Sequence, residues 1–232
     1  MVSKIKLNDI EADVTRKSIK NMYMRFCHLE GKILISAPNK ISTEEIKRFA
    51  FSKLNWIKNQ QKNINKKTRI KPYKYINDES HYFRGKSYTL IIVNNKSPFV
   101  ELTDKHILLN IPQDSIVEER KSVMEKWYQK QLLILIPPLI KKWENTLNVS
   151  VDSFFIRKMK TRWGSCTPKS RRIRFNIELA KASPEILEYI VVHELIHLIE
   201  ASHNIKFRAL MDYFYPNWKY FKKELNNINF RT

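Results

Sequence analysis

The sequence has 232 residues, of which 43% are hydrophobic and 12% aromatic, so it can bury a substantial core and is not a disordered chain. Its 43 basic and 23 acidic residues give a net charge of +20. Such a charge attracts polyanions and leaves a nucleic acid or nucleotide open as a partner, although the sequence contains no nucleic-acid-binding motif beside it.

The N-terminal part of the chain shows strand patterns followed by one helix. Short alternating stretches at 22–27 and 32–36 flank Glu30-Gly31, which indicates a hairpin. Ser42 and Glu45 have the spacing of a capping box, in which each residue caps a backbone N–H of the other. We therefore expect a helix that begins at Ser42.

Two further strands are predicted at 87–93 and 106–111, where the residues are β-branched and apolar. Residues 1–112 thus form a predicted β-rich N-terminal region with one helix, and 113–232 a second, catalytic region. No internal repeat is evident in the sequence.

The second region alternates between helix and strand patterns. A helical pattern at 115–147 contains Pro137-Pro138, which should break or kink it. Strand patterns return at 151–178 around a turn at 167–170. From the N-cap residue Ser183 the chain is predicted to be helical nearly to its end.

The most informative motif is His193-Glu194-Leu195-Ile196-His197, within the last predicted helix. Histidines four residues apart lie about one turn apart on the same helix face, so both rings can reach one ion. Glu194 is rotated by about 100° from His193 and can hold a water beside that ion. The motif predicts a Zn²⁺ site with Glu194 as the catalytic general base.

Catalytic zinc usually has a third protein ligand, and two residues compete for that position. His203 follows His197 by six residues and can reach the ion only if the helix ends near Ala201. Glu200 follows His197 by three residues and lies on the same face. The softer imidazole and the spacing favour His203.

Several segments around this motif form a distinctive set, which extends from Trp56-Ile57 and Tyr82–Lys86 through Arg162–Cys166, Phe175–Leu179, Tyr189–His197, His203 and Phe207 to Pro216–Trp218. Together they resemble the YgjP-like metal-dependent hydrolases, a zincin-type metallopeptidase group related in its core to the SprT-like proteases. The resemblance covers nearly the whole chain.

The resemblance implies an α+β fold with a zincin-like core, in which His193, His197 and His203 bind the metal and Glu194 is the base. It also implies that a strand near 171–178 borders the active-site cleft. Arg162 can bind a substrate carboxylate or phosphate, whereas Trp163 and Gly164 can equally serve packing and a tight bend. Tyr213 and Tyr215 are open candidates for transition-state stabilisation, and Cys166 is predicted to be a packed thiol.

Three functions follow from these observations. The first is an intracellular zinc peptidase that acts on a polypeptide. The second is a metal-dependent hydrolase of nucleotides or other phosphoanhydrides, and the third is a nucleic-acid-associated protein with a zinc site.

Two cysteines exclude a disulfide framework. The sequence shows no signal peptide and no membrane span, so we expect a cytoplasmic monomer.

Overall fold

A computed structural model describes residues 2–7, 10–27, 32–55, 57 and 73–227. The fold is α+β, as predicted, with several sheets and helices in this part of the chain. Contacts divide the chain into two compact units, Met1–Lys71 and Pro72–Thr232. The boundary predicted at residue 112 lies inside the second unit, between a strand and a long helix.

The first unit contains a four-stranded sheet and a helix. In the order β1-β2-β4-β3, the outer pairs are antiparallel and the central pair is parallel. Apolar side chains at alternate positions of the strands form its core with Ile46 and Ala50 of the helix. The elements are β1 (Val2–Leu7), β2 (Ile10–Lys17), β3 (Tyr23–Cys27), β4 (Lys32–Pro38) and α1 (Thr43–Ser52).

The predicted capping box is confirmed at the start of α1. The backbone N–H of Glu45 donates to Ser42 Oγ at 3.2 Å, and the backbone N–H of Ser42 donates to Glu45 Oε2 at 3.0 Å. The predicted hairpin turn at Glu30-Gly31 lies outside the described residues.

The second unit begins with another four-stranded sheet, whose order is β5-β6-β8-β7. Its outer pairs are again antiparallel and its central pair is again parallel. The predicted strands at 87–93 and 106–111 are β6 and β8 of this sheet. Its strands are β5 (Ser80–Phe83), β6 (Lys86–Asn94), β7 (Phe99–Leu102) and β8 (His106–Ile111).

The two units share this arrangement, although no repeat is evident from the sequence. In each, a proline stands at or directly after the end of the fourth strand, in ILISAP at 33–38 and in ILLNIP at 107–112. A helix begins five residues after each proline, at Thr43 and at Val117. Glu119 accepts the N–H of Ile116 at 3.0 Å, as Glu45 does that of Ser42. The two units therefore share strand order and a following helix, although few of their residues are identical.

The helix at the centre of the second unit is α2 (Val117–Leu147), which spans 31 residues. It runs through Pro137-Pro138 as one helix, so the predicted break does not occur. Burial of Leu132, Ile136 and Ile140 on both sides of the prolines stabilises the helix and offsets the backbone hydrogen bonds that the prolines cannot make.

The rest of the second unit is a three-stranded sheet and three helices. Strand β11 lies in the middle, antiparallel to β10 and parallel to β9, so β10 is an edge strand. No helix among the described residues is long and apolar enough to cross a membrane. The elements are β9 (Ser153–Arg157), β10 (Gly164–Thr167), β11 (Arg172–Asn176), α3 (Pro184–Ile196), α4 (Ile205–Phe214) and α5 (Trp218–Asn227).

Candidate metal centre

The helix that carries the motif, α3, lies in the interior of the second unit. Ser183 is its N-cap, as predicted, and accepts the N–H of Ile186 at 3.4 Å, while Pro184 occupies the first turn. Nine of its thirteen residues are buried, which holds the helix in a fixed orientation. This orientation fixes where His193 and Glu194 project.

The helix ends at Ile196, with His197 as its C-cap residue, and not near Ala201 as predicted. The N–H groups of Leu198 and Ile199 donate to carbonyls three residues earlier, which tightens the last turn and ends the helix. The chain then reverses, and α4 begins after the N-cap Asn204. This reversal places His203 beside His193, with 2.9 Å between their Nε2 atoms.

One ligand nitrogen from each of His193, His197 and His203 lies within 4.8 Å of the other two. Phe207, which is 1% exposed, packs against all three rings at centroid distances of 5.0, 4.7 and 4.7 Å. This buried ring limits the rotation of the imidazoles, so the three nitrogens are oriented by packing.

The protonation of the three histidines suits metal binding. Burial, together with the charges of the nearby His197, His203 and Lys222, lowers the pKa of His193 to about 3. Burial also lowers the pKa of His197 and His203. Nδ1 of His197 lies 3.0 Å from the Glu200 carbonyl oxygen, to which it can donate and so leave Nε2 free to accept an ion.

Glu200, the rival third ligand, has another role. Its carboxylate accepts the N–H and the hydroxyl of Ser202 at 3.2 and 3.1 Å. These bonds stabilise the turn that precedes His203. Glu200 does not belong to the cluster of possible ligands within the described residues.

The donor set fits zinc. Three neutral imidazoles with one open position form a known type of catalytic zinc site. Zinc–nitrogen bonds of about 2.1 Å separate two tetrahedral ligands by roughly 3.4 Å, a value between the 2.9 Å from His193 Nε2 to His203 Nε2 and the 4.8 Å that bounds the cluster.

Glu194 lies beside the cluster and is 4% exposed. Burial raises the pKa of its carboxyl to about 8, although the positive charge of Arg162 opposes the shift. Its Oε2 atom is buried and has no hydrogen-bond partner among the described residues. A buried oxygen without a partner is costly, so we expect it to bind water or substrate.

The three histidines and Glu194 open into a cleft of about 490 Å³. Strand β10 forms part of its wall, and Gly164 approaches Glu194 so closely that a Cβ atom there would lie 2.4 Å from Glu194 Oε1. The cleft therefore combines a buried acid, three imidazoles and an edge strand.

Asn176, at the end of β11, positions the segment that leads into β10. Its side-chain N–H groups donate to the carbonyls of Met159 and Arg162 at 2.8 and 2.9 Å. Its backbone N–H donates to the carbonyl of Trp163 at 2.8 Å. These bonds bring Arg162 and Gly164 to the cleft, a role that the sequence motif does not disclose.

We expect Asn176→Ala to destabilise the protein by about 1–3 kcal/mol, because Asn176 is 4% exposed and its loss leaves two part-buried carbonyls without donors. Urea denaturation measures this change. Asn95→Ala is the matched control, because Asn95 makes an exposed bond to the N–H of Ser97 and should cost less than about 1 kcal/mol. Equal losses in the two variants would contradict the positioning role.

The structure sorts the other candidate residues. Arg162, Trp163 and Cys166 line the cleft. Burial, and to a smaller extent the charge of Glu194, raises the pKa of Cys166 to about 11, which favours the protonated form, the predicted thiol. Tyr213 is 76% exposed and is not a lining residue, and the hydroxyl of Tyr215 donates to the Glu185 carbonyl at 3.1 Å.

Two lining residues with titratable side chains were not predicted, Tyr189 and Lys222. Tyr189 precedes His193 by four residues on α3, so helical spacing could have identified it. Lys222 lies on α5, and only the tertiary fold brings it to the cleft.

Comparison with families of known proteins gives the class of this protein, the metallopeptidase-like hydrolases. The family described as YgjP-like, metallopeptidase domain matches residues 21–228, and the chain belongs to this family. No curated protein matched the sequence.

Two solved structures are similar to part of the chain. The metallopeptidase zymogen abylysin of Pyrococcus abyssi is 20% identical, with a TM-score of 0.37 over 39% of this chain and 90% of that one. The metallopeptidase zymogen jannalysin of Methanocaldococcus jannaschii is 24% identical, with a TM-score of 0.35 over 40% of this chain and 94% of that one.

Proposed function

We propose that the protein is a zinc-dependent peptidase with a zincin-like core, in which His193, His197 and His203 hold the ion and Glu194 is the general base. The observation that carries this proposal is the cluster of three imidazole nitrogens within 4.8 Å, beside a carboxylate that is 4% exposed. Membership of the YgjP-like metallopeptidase family supports it.

When bound, zinc lowers the pKa of a neighbouring water to about 7 and polarises a carbonyl group. Glu194 orients that water through its buried oxygen and takes its proton as the water attacks the carbonyl carbon. The adjacent positive charge of the ion would favour the ionised carboxylate, which is the form that accepts a proton. Glu194 then delivers the proton to the leaving amine, so that the base is regenerated.

The edge strand supports a polypeptide as the substrate. In the described sheet, β10 pairs with β11 on one side only, so the backbone groups of its other side are open for pairing. Gly164 and Ser165 of this strand line the cleft. An extended peptide can add to such an edge as a further strand, which would place its backbone carbonyl near Glu194.

Zinc titration and a peptide digest test the proposal. We expect the wild-type protein to bind one zinc ion and to cleave members of a mixed peptide library, detected by mass spectrometry. His203→Ala should bind zinc about a hundredfold more weakly or worse, because the loss of a ligand costs at least as much as the loss of an outer partner. His106→Ala, on β8 outside the cluster, should bind zinc as the wild type does.

Two results would contradict the proposal. Undiminished zinc affinity in His203→Ala would remove His203 from the ligand set. The absence of any cleaved peptide bond, with zinc fully bound, would remove the peptidase assignment.

A metal-dependent phosphoanhydride hydrolase is the second candidate. It is favoured by Arg162 and Lys222, two cationic side chains that line the cleft and could bind phosphate oxygens. Release of phosphate or pyrophosphate from nucleoside triphosphates by the zinc-loaded protein, at a higher kcat/KM than for any peptide, would favour this reaction.

A further inference from the structure

The charge of the cleft is unbalanced. Among the described residues that line it, the cations are Arg162 and Lys222, and the only acid is Glu194. Glu194 is 4% exposed and is assigned to proton transfer, and its carboxylate can balance at most one of the two cations, Arg162, whose charge acts on it. The accessible part of the cleft is therefore positive.

The two cations come from different elements. Arg162 lies two residues before Gly164, the first residue of β10, and its charge acts on Glu194. Lys222 lies on α5, and its charge acts on His193 and His203. The lining of the cleft thus receives one cation from the segment before the edge strand and one from a helix.

Both side chains are accessible to a ligand. Arg162 and Lys222 are exposed, and neither forms an ion pair in the part of the chain that the structure describes. Nζ of Lys222 lies 5.5 Å from the ring centroid of Trp218, a contact that holds the side chain near the cleft without neutralising it. Apolar side chains such as Ile190 and Leu225 form other parts of the wall.

We propose that the cleft selects peptides by a carboxylate close to the scissile bond, with Arg162 and Lys222 as the residues that recognise it. This inference rests on the proposed peptidase function and adds its specificity. The carboxylate can be an aspartate or glutamate side chain or the C-terminus of a short substrate. A guanidinium beside an edge strand is well suited to pair with a carboxylate that lies along that strand.

Binding of labelled peptides to zinc-loaded Glu194→Gln protein tests this selectivity without turnover. The parent probe is an uncharged peptide with both ends blocked. Its matched forms carry one glutamate or one glutamine at each position, or a free C-terminal carboxylate. Fluorescence anisotropy gives each Kd at constant ionic strength, and nucleoside triphosphate competes in a separate arm.

We expect a carboxylate at one or two positions to strengthen binding about two- to fivefold over glutamine for each cation that it meets. Arg162→Gln and Lys222→Gln should each remove part of this preference, and the double variant should abolish it. Arg157→Gln and Lys223→Gln are controls, because both residues are exposed and neither lines the cleft. The position of the preferred carboxylate distinguishes a side chain from a C-terminus.

The inference is overturned if glutamate and glutamine peptides bind equally, if no peptide binds, or if the preference survives in the double variant. Tighter binding of triphosphate than of every acidic peptide, lost in the same double variant, would assign the two cations to phosphate. A preference that depends on Arg162 and Lys222, without peptide cleavage by the zinc-loaded wild type, would leave the recognition intact and refute the peptidase function alone.

Discussion

Gly164→Ala is expected to reduce hydrolytic activity by about a hundredfold or more while the fold and zinc affinity are retained. A Cβ atom at this position would lie 2.4 Å from Oε1 and 2.7 Å from Cδ of Glu194, well inside normal contact distance. The carboxylate would have to move by about an ångström, a displacement of the size that costs two orders of magnitude in catalysis.

The fold should be retained, because the backbone at Gly164 does not need glycine. Gly164 is not among the described residues with a positive φ, whereas Gly85 has φ +77°. Alanine therefore fits the strand conformation, and its contact with Glu194 should lower the free energy of unfolding by about 1–3 kcal/mol, the usual range for overpacking.

Comparison of kcat/KM, zinc stoichiometry and urea stability for Gly164→Ala and Thr167→Ala separates these effects. Thr167 is an exposed residue of the same strand, and its substitution should change none of the three quantities. Activity of Gly164→Ala within threefold of the wild type would show that Glu194 need not occupy the observed position.

The cluster of His193, His197 and His203 could be predicted because its signals are local. The spacing of His193 and His197 within one helix, and the N-cap Ser183 before it, predict which residues share a face and where the helix begins. His203 was predicted on the condition that the helix ends before it. Helix α3 ends five residues earlier than expected. The sequence does not indicate this end, because no glycine or proline marks Ile196 as the last residue.

The rest of the cleft depends on contacts between residues far apart in the sequence. Lys222 is about thirty residues from the motif, and its place in the cleft follows from the packing of α5 against α3. Asn176 positions β10 through bonds to residues 14 to 17 positions earlier. The repeated sheet-and-helix arrangement was not predicted, because the two units share strand order and buried positions while their exposed side chains differ.

Glu194→Gln is expected to lower kcat by about 10²–10⁴-fold, the usual contribution of a general base. Glutamine has nearly the same shape and can still orient a water, but it cannot take the proton. Zinc affinity should change little, because Glu194 is not among the clustered ligands. Glu118→Gln, at the exposed start of α2, is the control and should keep full activity. A kcat within fivefold of the wild type would show that another group accepts the proton.

The same substitution should stabilise the metal-free protein in a pH-dependent manner. Below the ordinary pKa of 4.5 the carboxyl is protonated in both the folded and the unfolded chain, so the substitution has little effect. Between 4.5 and about 8 the unfolded chain loses this proton and the folded chain keeps it, so the free energy of unfolding falls as pH rises. Above about 8 the penalty is constant.

We expect the metal-free Glu194→Gln protein to gain on the order of 2–4 kcal/mol over the wild type at pH 8, and almost nothing at pH 4. Urea denaturation at both pH values, in the presence of a chelator, measures the difference. Bound zinc should remove most of it, because the adjacent positive charge favours the ionised carboxylate. A gain that is equal at both pH values would mean that the amide improves packing and that Glu194 does not hold a proton in the folded site. A gain that appears only as pH rises toward 8 would show that burial keeps this carboxyl neutral until the metal arrives and favours the ionised form, which is the form that can take a proton from water.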